Sequence, residues 1–300
     1  MTELQSTPKT ISLCEVGPRD GFQFEAVPIP TELKVEAIQG LIDAGLRRVQ
    51  ITSFVHPGRV PQMSDAEQIA DKFASHEQVI CSGLALNERG VDRAASAGLS
   101  FVDLSIATHE QHGRDNANMS VEEGVSRASS MVERAIQAGM QVQLGLQTVW
   151  GYKQPGDTGL DTIRALAAHF ASLQLESFSL ADSTGLANPE SIRDTVSAVR
   201  SETDHPIVLH LHDTRGLGIA NILAAVQVGV DRFDVSLGGM GGCPFIPGAT
   251  GNVATEDVVW ALEQSGLSTG IDIARVSQVS RMIAEHVGHP LSGKLYTLND

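Results

Sequence analysis

His210 and His212 are separated by one residue in an apolar run. On a β-strand alternate side chains point to the same face, so both imidazoles converge. Two convergent imidazoles and a carboxylate make the donor set of a divalent-metal site. Asp20, just past the first apolar run, is the carboxylate placed to complete it. Asp213 follows His212 and points the other way, so it is expected to support the site rather than ligate. The plain alternative is a pair of hydrogen-bonded core histidines. Such donors suit Mg²⁺, Mn²⁺, Co²⁺ or Zn²⁺, and residue types alone do not choose among them. A cation held there would polarise a hydroxyl or carbonyl oxygen of a chelating substrate. Cys243 follows the glycine-rich run Gly238-Gly239-Met240-Gly241-Gly242. A thiol on such a loop is a candidate acid or base. Cys14 and Cys81 lie inside apolar runs and read as core packing.

The elements that position these residues repeat. Apolar runs at Ile11–Val16, Val49–Thr52, Val79–Leu84, Phe101–Ile106, Gln141–Gln147, Ser177–Ala181, Ile207–His212 and Arg232–Leu237 read as strands. Segments of helical period lie between them, such as Leu160, Ile163, Leu166, Phe170 and Leu173. Ser120 with Glu123 forms a capping-box signature, and Asn188-Pro189 reads as a helix N-cap followed by proline. Gly45, Gly98, Gly139 and Gly229 each stand where a helix should stop before a strand. Strands separated by helices run parallel. Eight such units give an α/β fold, a (β/α)₈ TIM barrel, in preference to a doubly wound open sheet. The expected organisation is one domain over residues 1–300, with a core at about 11–265 and a C-terminal helical extension at about 271–290.

The strand faces opposite the apolar ones are unusually polar. They carry Gln50 and Thr52, Asp103 and Ser105, Gln143 and Gln147, Ser177 and Ser179, and Asp234 and Ser236. Buried parallel strands usually read as apolar runs. Each unpaired polar group would cost about 1–3 kcal/mol, so this interior must be hydrogen-bonded, hydrated or occupied. Arg19, Asp20, Asn87, His109 and Asp182 lie just past strand ends. A barrel builds its active site at that end. Gln50, Thr52, Gln147 and Asp182 are therefore expected to meet a substrate.

Acidic residues number 36 against 21 basic ones, a net charge of −15. That balance argues against nucleic acid or anionic membrane as partners. Three sparse cysteines form no disulfide framework and fit a cytoplasmic protein. No apolar run is long enough to span a membrane.

Several segments resemble the hydroxymethylglutaryl-CoA lyase family. They are Glu15-Val16-Gly17-Pro18-Arg19-Asp20-Gly21-Phe22-Gln23, Thr52-Ser53-Phe54-Val55 with Val60-Pro61-Gln62-Met63, and His210-Leu211-His212-Asp213-Thr214-Arg215-Gly216. A fourth runs from Gly241-Gly242-Cys243-Pro244-Phe245 through Gly251-Asn252 to Thr255-Glu256-Asp257. The resemblance implies a divalent cation, Mg²⁺ or Mn²⁺ foremost, on Asp20, His210, His212 and Asn252. It implies that Arg19 stabilises a thioester enolate and that Cys243 exchanges a proton with the released carbon. Gln23 would sit beside the site. The implied reaction is retro-Claisen cleavage of 3-hydroxy-3-methylglutaryl-CoA to acetoacetate and acetyl-CoA, by a homodimer.

The chain departs from that family at a few positions. Gln50 stands where the family usually has glutamate. Gly145 and Gln147 stand near its tyrosine and serine, and Ala26 replaces a frequent lysine. These changes keep open a related substrate, such as citramalyl-CoA or a longer 3-hydroxyglutaryl-CoA. A Claisen-type synthase and a non-catalytic metal-binding barrel are further alternatives. Lys153 is a candidate for the nucleotide end of coenzyme A.

Overall fold

The computed structural model describes residues 10–242 and 250–298. Eight parallel strands close a barrel in sequence order. They are β1 (Ser12–Glu15), β2 (Arg48–Ser53), β3 (Ile80–Ala85), β4 (Phe101–Ala107), β5 (Gln141–Gln147), β6 (Ser177–Asp182), β7 (Ile207–Leu211) and β8 (Arg232–Val235). The helices are α1 (Thr31–Asp43), α2 (Ala66–Phe73), α3 (Glu88–Ser96), α4 (Glu110–Ala117), α5 (Val121–Gln137), α6 (Leu160–Phe170), α7 (Pro189–Arg200), α8 (Gly218–Gln227), α9 (Thr255–Gln264) and α10 (Ile273–Val287). The barrel read from the alternation is the fold observed, and α10 is the extra C-terminal helix. The short α4 had no separate signal, because its segment carries almost no apolar residues.

Local chemistry explains the boundaries. Ser120 and Glu123 cap α5 reciprocally, and Asn188 caps α7 through two backbone N–H groups. At Gly45, with φ 107°, the chain leaves α1 in the left-handed region that glycine enters without strain. There Leu46 N–H reaches back to Leu41 O at 3.2 Å, closing the helix end. Among the described residues no helix is long and apolar enough to cross a membrane.

Two layers follow from the period-two pattern. Val49, Ile51, Val102, Leu144, Phe178, Leu180, Leu209, Phe233 and Val235 are buried in the core between strands and helices. Each such side chain contributes roughly 1.5–3 kcal/mol by leaving water. The inner face is polar, as expected, and at its floor it is charged. Arg48 lies over the Phe101 ring at 4.2 Å. It donates to Gln143 at 3.0 Å and to Glu176 at 3.2 Å, with Asp103 at 3.8 Å. Arg232 closes the ring by pairing with Glu176.

Glu15 ties the barrel seam shut. Its fully buried carboxylate accepts from Gly17 N at 2.8 Å, Leu237 N at 2.9 Å and Thr255 Oγ1 at 2.6 Å. Burial outweighs those three donors and pushes its pKa from 4.5 up to about 8. An acid raised on folding holds its proton more tightly in the folded state. Its contribution to stability is therefore greatest below about 4.5 and declines as pH rises through about 8. Thermal melts of the wild type are expected to fall in midpoint between those limits, and Glu15→Gln is expected to flatten the decline. Parallel profiles for the two proteins would show that Glu15 does not titrate in this range.

Candidate active site

The chain leaves β1 in a tight π-turn, Gly17–Gly21, whose sequence is Gly-Pro-Arg-Asp-Gly. Both glycines are needed for close approach. A Cβ on Gly17 would stand 2.5 Å from Leu237 Cδ2, and one on Gly21 would stand 2.6 Å from Met240 Cβ. Between them the turn presents Arg19 and Asp20 to the barrel mouth. Arg19 donates from Nη1 to Asp20 and from Nε to the Gln50 carbonyl on β2. Gln23 donates to Asp20 Oδ1 at 2.9 Å.

Asp20, His210 and His212 come together as the sequence spacing required. One ligand atom from each lies within 4.8 Å of the others. His210 Nε2 is 3.2 Å from His212 Nε2 and 3.9 Å from Asp20 Oδ2. His210 Nδ1 meets Asp234 Oδ2 of β8 at 3.2 Å. That contact favours an Nδ1–H tautomer and leaves the Nε2 lone pair for a ligand. Burial, followed by the neighbouring His210, lowers His212 to about 3. Burial opposes ionisation of Asp20, but Arg19, His210, His212 and Asn252 together hold its pKa below the usual carboxylate value.

Asn252 arrives on the strand-like segment after the glycine-rich run, bridged antiparallel to His212. Its Nδ2 donates to Asp20 Oδ2 at 2.7 Å and to Met240 O at 3.0 Å. Among the described residues its buried Oδ1 has no hydrogen-bond partner, nor has the buried Nδ1 of His212. A buried, unpaired amide oxygen beside a carboxylate and two imidazoles fits an oxygen-seeking divalent cation.

The set opens into a cavity of about 440 Å³ at the C-terminal ends of the strands. Gln23, Gln50 and Gln147 line it, and so do His112 and Asn116 of α4. These two carried no sequence signal, since α4 itself carried none. Burial, then His109, depresses His112 to about 4, so it is neutral near pH 7. Two expected substrate contacts are displaced. A register shift between Gln50 and Thr52 breaks the alternation, and Thr52 is buried with its hydroxyl toward Met63 Sδ at 3.8 Å. Asp182 is also buried, its carboxylate accepting from Leu186 N at 2.8 Å and Ala187 N at 3.0 Å. Burial raises its pKa to about 6. Neither residue lines the cavity. Lys153 lies over the Tyr152 ring at 4.0 Å, away from the cavity lining. Cys243 falls outside the described residues, while Gly242 before it lines the cavity. Burial pushes Cys81 up to about 12 and raises Cys14 well above the normal thiol value, as inert packing requires.

Comparison with known proteins adds to this geometry. The HMGL-like family profile matches residues 10–283. A hydroxymethylglutaryl-CoA lyase of Bacillus subtilis is 35% identical over 288 residues, which is 96% of each chain. The crystal structure of the Bacillus subtilis HMG-CoA lyase superposes with a TM-score of 0.93 at 34% identity, over 97% of this chain and 98% of that one. An Acinetobacter baumannii HMG-CoA lyase in complex with coenzyme A and 3-methylmalate superposes with a TM-score of 0.89, also at 34% identity and over the same shares.

Titration with Mn²⁺, read by its paramagnetic resonance, tests the donor set. His210→Ala is expected to abolish binding at micromolar metal. Asp234→Asn should weaken binding about 10–100-fold by releasing the imidazole it orients. Unchanged affinity in His210→Ala would remove this cluster from consideration as a cation site.

Proposed function

The chain belongs to the HMGL-like family and is a carbon–carbon lyase, and from that premise we propose that it cleaves 3-hydroxy-3-methylglutaryl-CoA to acetoacetate and acetyl-CoA with a divalent cation. The observation that carries this reading is the Asp20, His210 and His212 cluster with the Arg19 guanidinium at one cavity, next to a buried Asn252 oxygen that has no partner among the described residues. Asp20, His210, His212 and Asn252 would hold the cation, Mg²⁺ or Mn²⁺. Bound there, it supplies Lewis acidity that makes a substrate hydroxyl easier to deprotonate.

The residues of the chain do the rest. The 3-hydroxyl gives its proton to the Asp20 carboxylate, the C2–C3 bond breaks, and the electron pair moves onto the thioester as an enolate. C3 becomes the ketone of acetoacetate. Arg19, fixed by Asp20 and Gln50, places positive charge where the enolate oxygen develops. Loss of one such donor costs about 10²–10³ in rate in comparable sites. Cys243 delivers the proton that converts the enolate carbon to the methyl of acetyl-CoA, a role resting on its sequence motif. Gln23 and Gln50 orient the acidic and basic groups around the reacting carbon.

A second reading concerns the acyl group. Gln50 offers Arg19 a neutral oxygen, and Gly145 leaves its part of the cavity wall without a side chain. These two features favour a related carboxylated 3-hydroxyacyl-CoA, citramalyl-CoA or a longer 3-hydroxyglutaryl-CoA, as the alternative substrate. The Acinetobacter baumannii relative, described with coenzyme A and 3-methylmalate, is consistent with acyl variation around one chemistry.

Purified protein with Mg²⁺ or Mn²⁺ and the hydroxymethylglutaryl thioester should release acetyl-CoA, and Cys243→Ala should lower kcat by at least about 10². No release with either metal would reject this substrate. A thioester panel decides the second reading. Gln50→Glu is expected to raise the kcat/KM preference for the hydroxymethylglutaryl ester over longer esters. An unaltered ratio would show that position 50 does not set the preference.

A further inference from the structure

The geometry points to residues 290–298, beyond α10, as a strap that holds the glycine turn Gly238–Met240 in register with Asn252 and Asp20, and so sets the affinity of the cation site. The inference rests on the cation reading given above. After α10 the chain does not run off the barrel. It turns back over the catalytic end and lies against Gly238 and Gly239. Gly293 N–H donates to Gly238 O at 2.7 Å, and Ser292 Oγ donates to Gly239 O at 2.6 Å.

The fit leaves no room for side chains. Gly238 and Gly239 have φ values of 55° and 71°, and Leu291 packs directly on Gly238. A Cβ on Gly239 would stand 2.5 Å from Ser292 Oγ, and one on Gly293 would stand 2.8 Å from Ala254 Cβ. Two consecutive left-handed glycines have wide conformational freedom when unrestrained, so an outside contact must select this shape.

The strap is itself anchored. Asp257 accepts from Leu295 N at 2.9 Å and from Lys294 N at 3.1 Å. Tyr296 OH accepts from Leu291 N at 2.8 Å, while Arg281 of α10 donates to Tyr296 O at 2.7 Å. From below, Glu256 accepts from Gly238 N at 3.0 Å and is bonded by Ser280 of α10.

The turn passes this restraint to the site in two bonds. Met240 O, the next carbonyl after Gly239, accepts Asn252 Nδ2 at 3.0 Å, and the same amide reaches Asp20 Oδ2 at 2.7 Å. Ser292 and Gly293 are thus positioning residues. Neither lines the cavity or belongs to the donor cluster.

The test is Mn²⁺ affinity of the full-length chain and its variants, read by paramagnetic resonance. Ser292→Ala is expected to bind Mn²⁺ about fivefold more weakly, the effect of one lost hydrogen bond. Ser292→Thr, which keeps the hydroxyl, should restore the affinity. A chain ending at Pro290 should lose more, and a synthetic peptide of residues 291–298 should recover part of it. If that shortened chain fails to fold, the Ser292 pair decides alone. Wild-type affinity in Ser292→Ala would overturn the inference. A full-length chain that binds no Mn²⁺ would overturn the cation reading and this one with it, which tells the two failures apart.

Discussion

One hydrogen bond joins the two ends of the barrel's chemistry. Asn252 Nδ2 reaches Asp20 Oδ2 at 2.7 Å across 232 residues of sequence. Asp20 stands at the exit of β1, and Asn252 follows the last strand. The barrel must be closed, in the right register, before the two can meet. Everything near them serves that meeting. Gly17 and Gly21 let the first turn approach Leu237 and Met240, and Glu15 binds Leu237 N and Thr255 Oγ1 across the seam. Among the described residues Asn252 Oδ1 is left buried and without a partner, as a ligand oxygen awaiting a cation would be.

The polar interior follows from the same constraint. A barrel that must gather carboxylates and imidazoles at its mouth cannot fill its centre with valine and leucine alone. Here the change from mouth to floor is graded. His210 hands on to Asp234, and below it Arg48 balances Asp103 and Glu176 while stacking on Phe101. Burial raises Asp103 above its usual pKa despite Arg48, which is the cost of placing carboxylates in this low-dielectric layer. Each charge in the floor has an opposite neighbour, so the layer is tolerated without apolar filling.

The barrel and the Asp20, His210 and His212 cluster were legible in the sequence for clear reasons. Period two fixes which strand residues share a face, and helix-stopping glycines mark each unit. Thr52 shows where that logic breaks, because a one-residue register shift after Gln50 reverses facing and leaves no trace in residue type. Asp182 shows another limit, since a carboxylate at a strand end can equally well be consumed by the N–H groups of its own loop. His112 and Asn116 reach the cavity from α4, a helix with no apolar period to announce it. Asn252 needed the family resemblance, because its place depends on a bridge to His212 that only tertiary structure creates. Ser292 and Gly293 lie farther still from any local pattern.

The floor made by Arg48, Phe101, Glu176 and Arg232 has a kinetic meaning. It closes the barrel beneath the cavity, whose mouth lies at the strand C-termini. For the thioester proposed above, the bulky nucleotide handle would stay outside and the acyl tip would lie deepest. Both fragments of the cut carbon chain would then share one doorway, the coenzyme-bearing half leaving ahead of the smaller keto fragment.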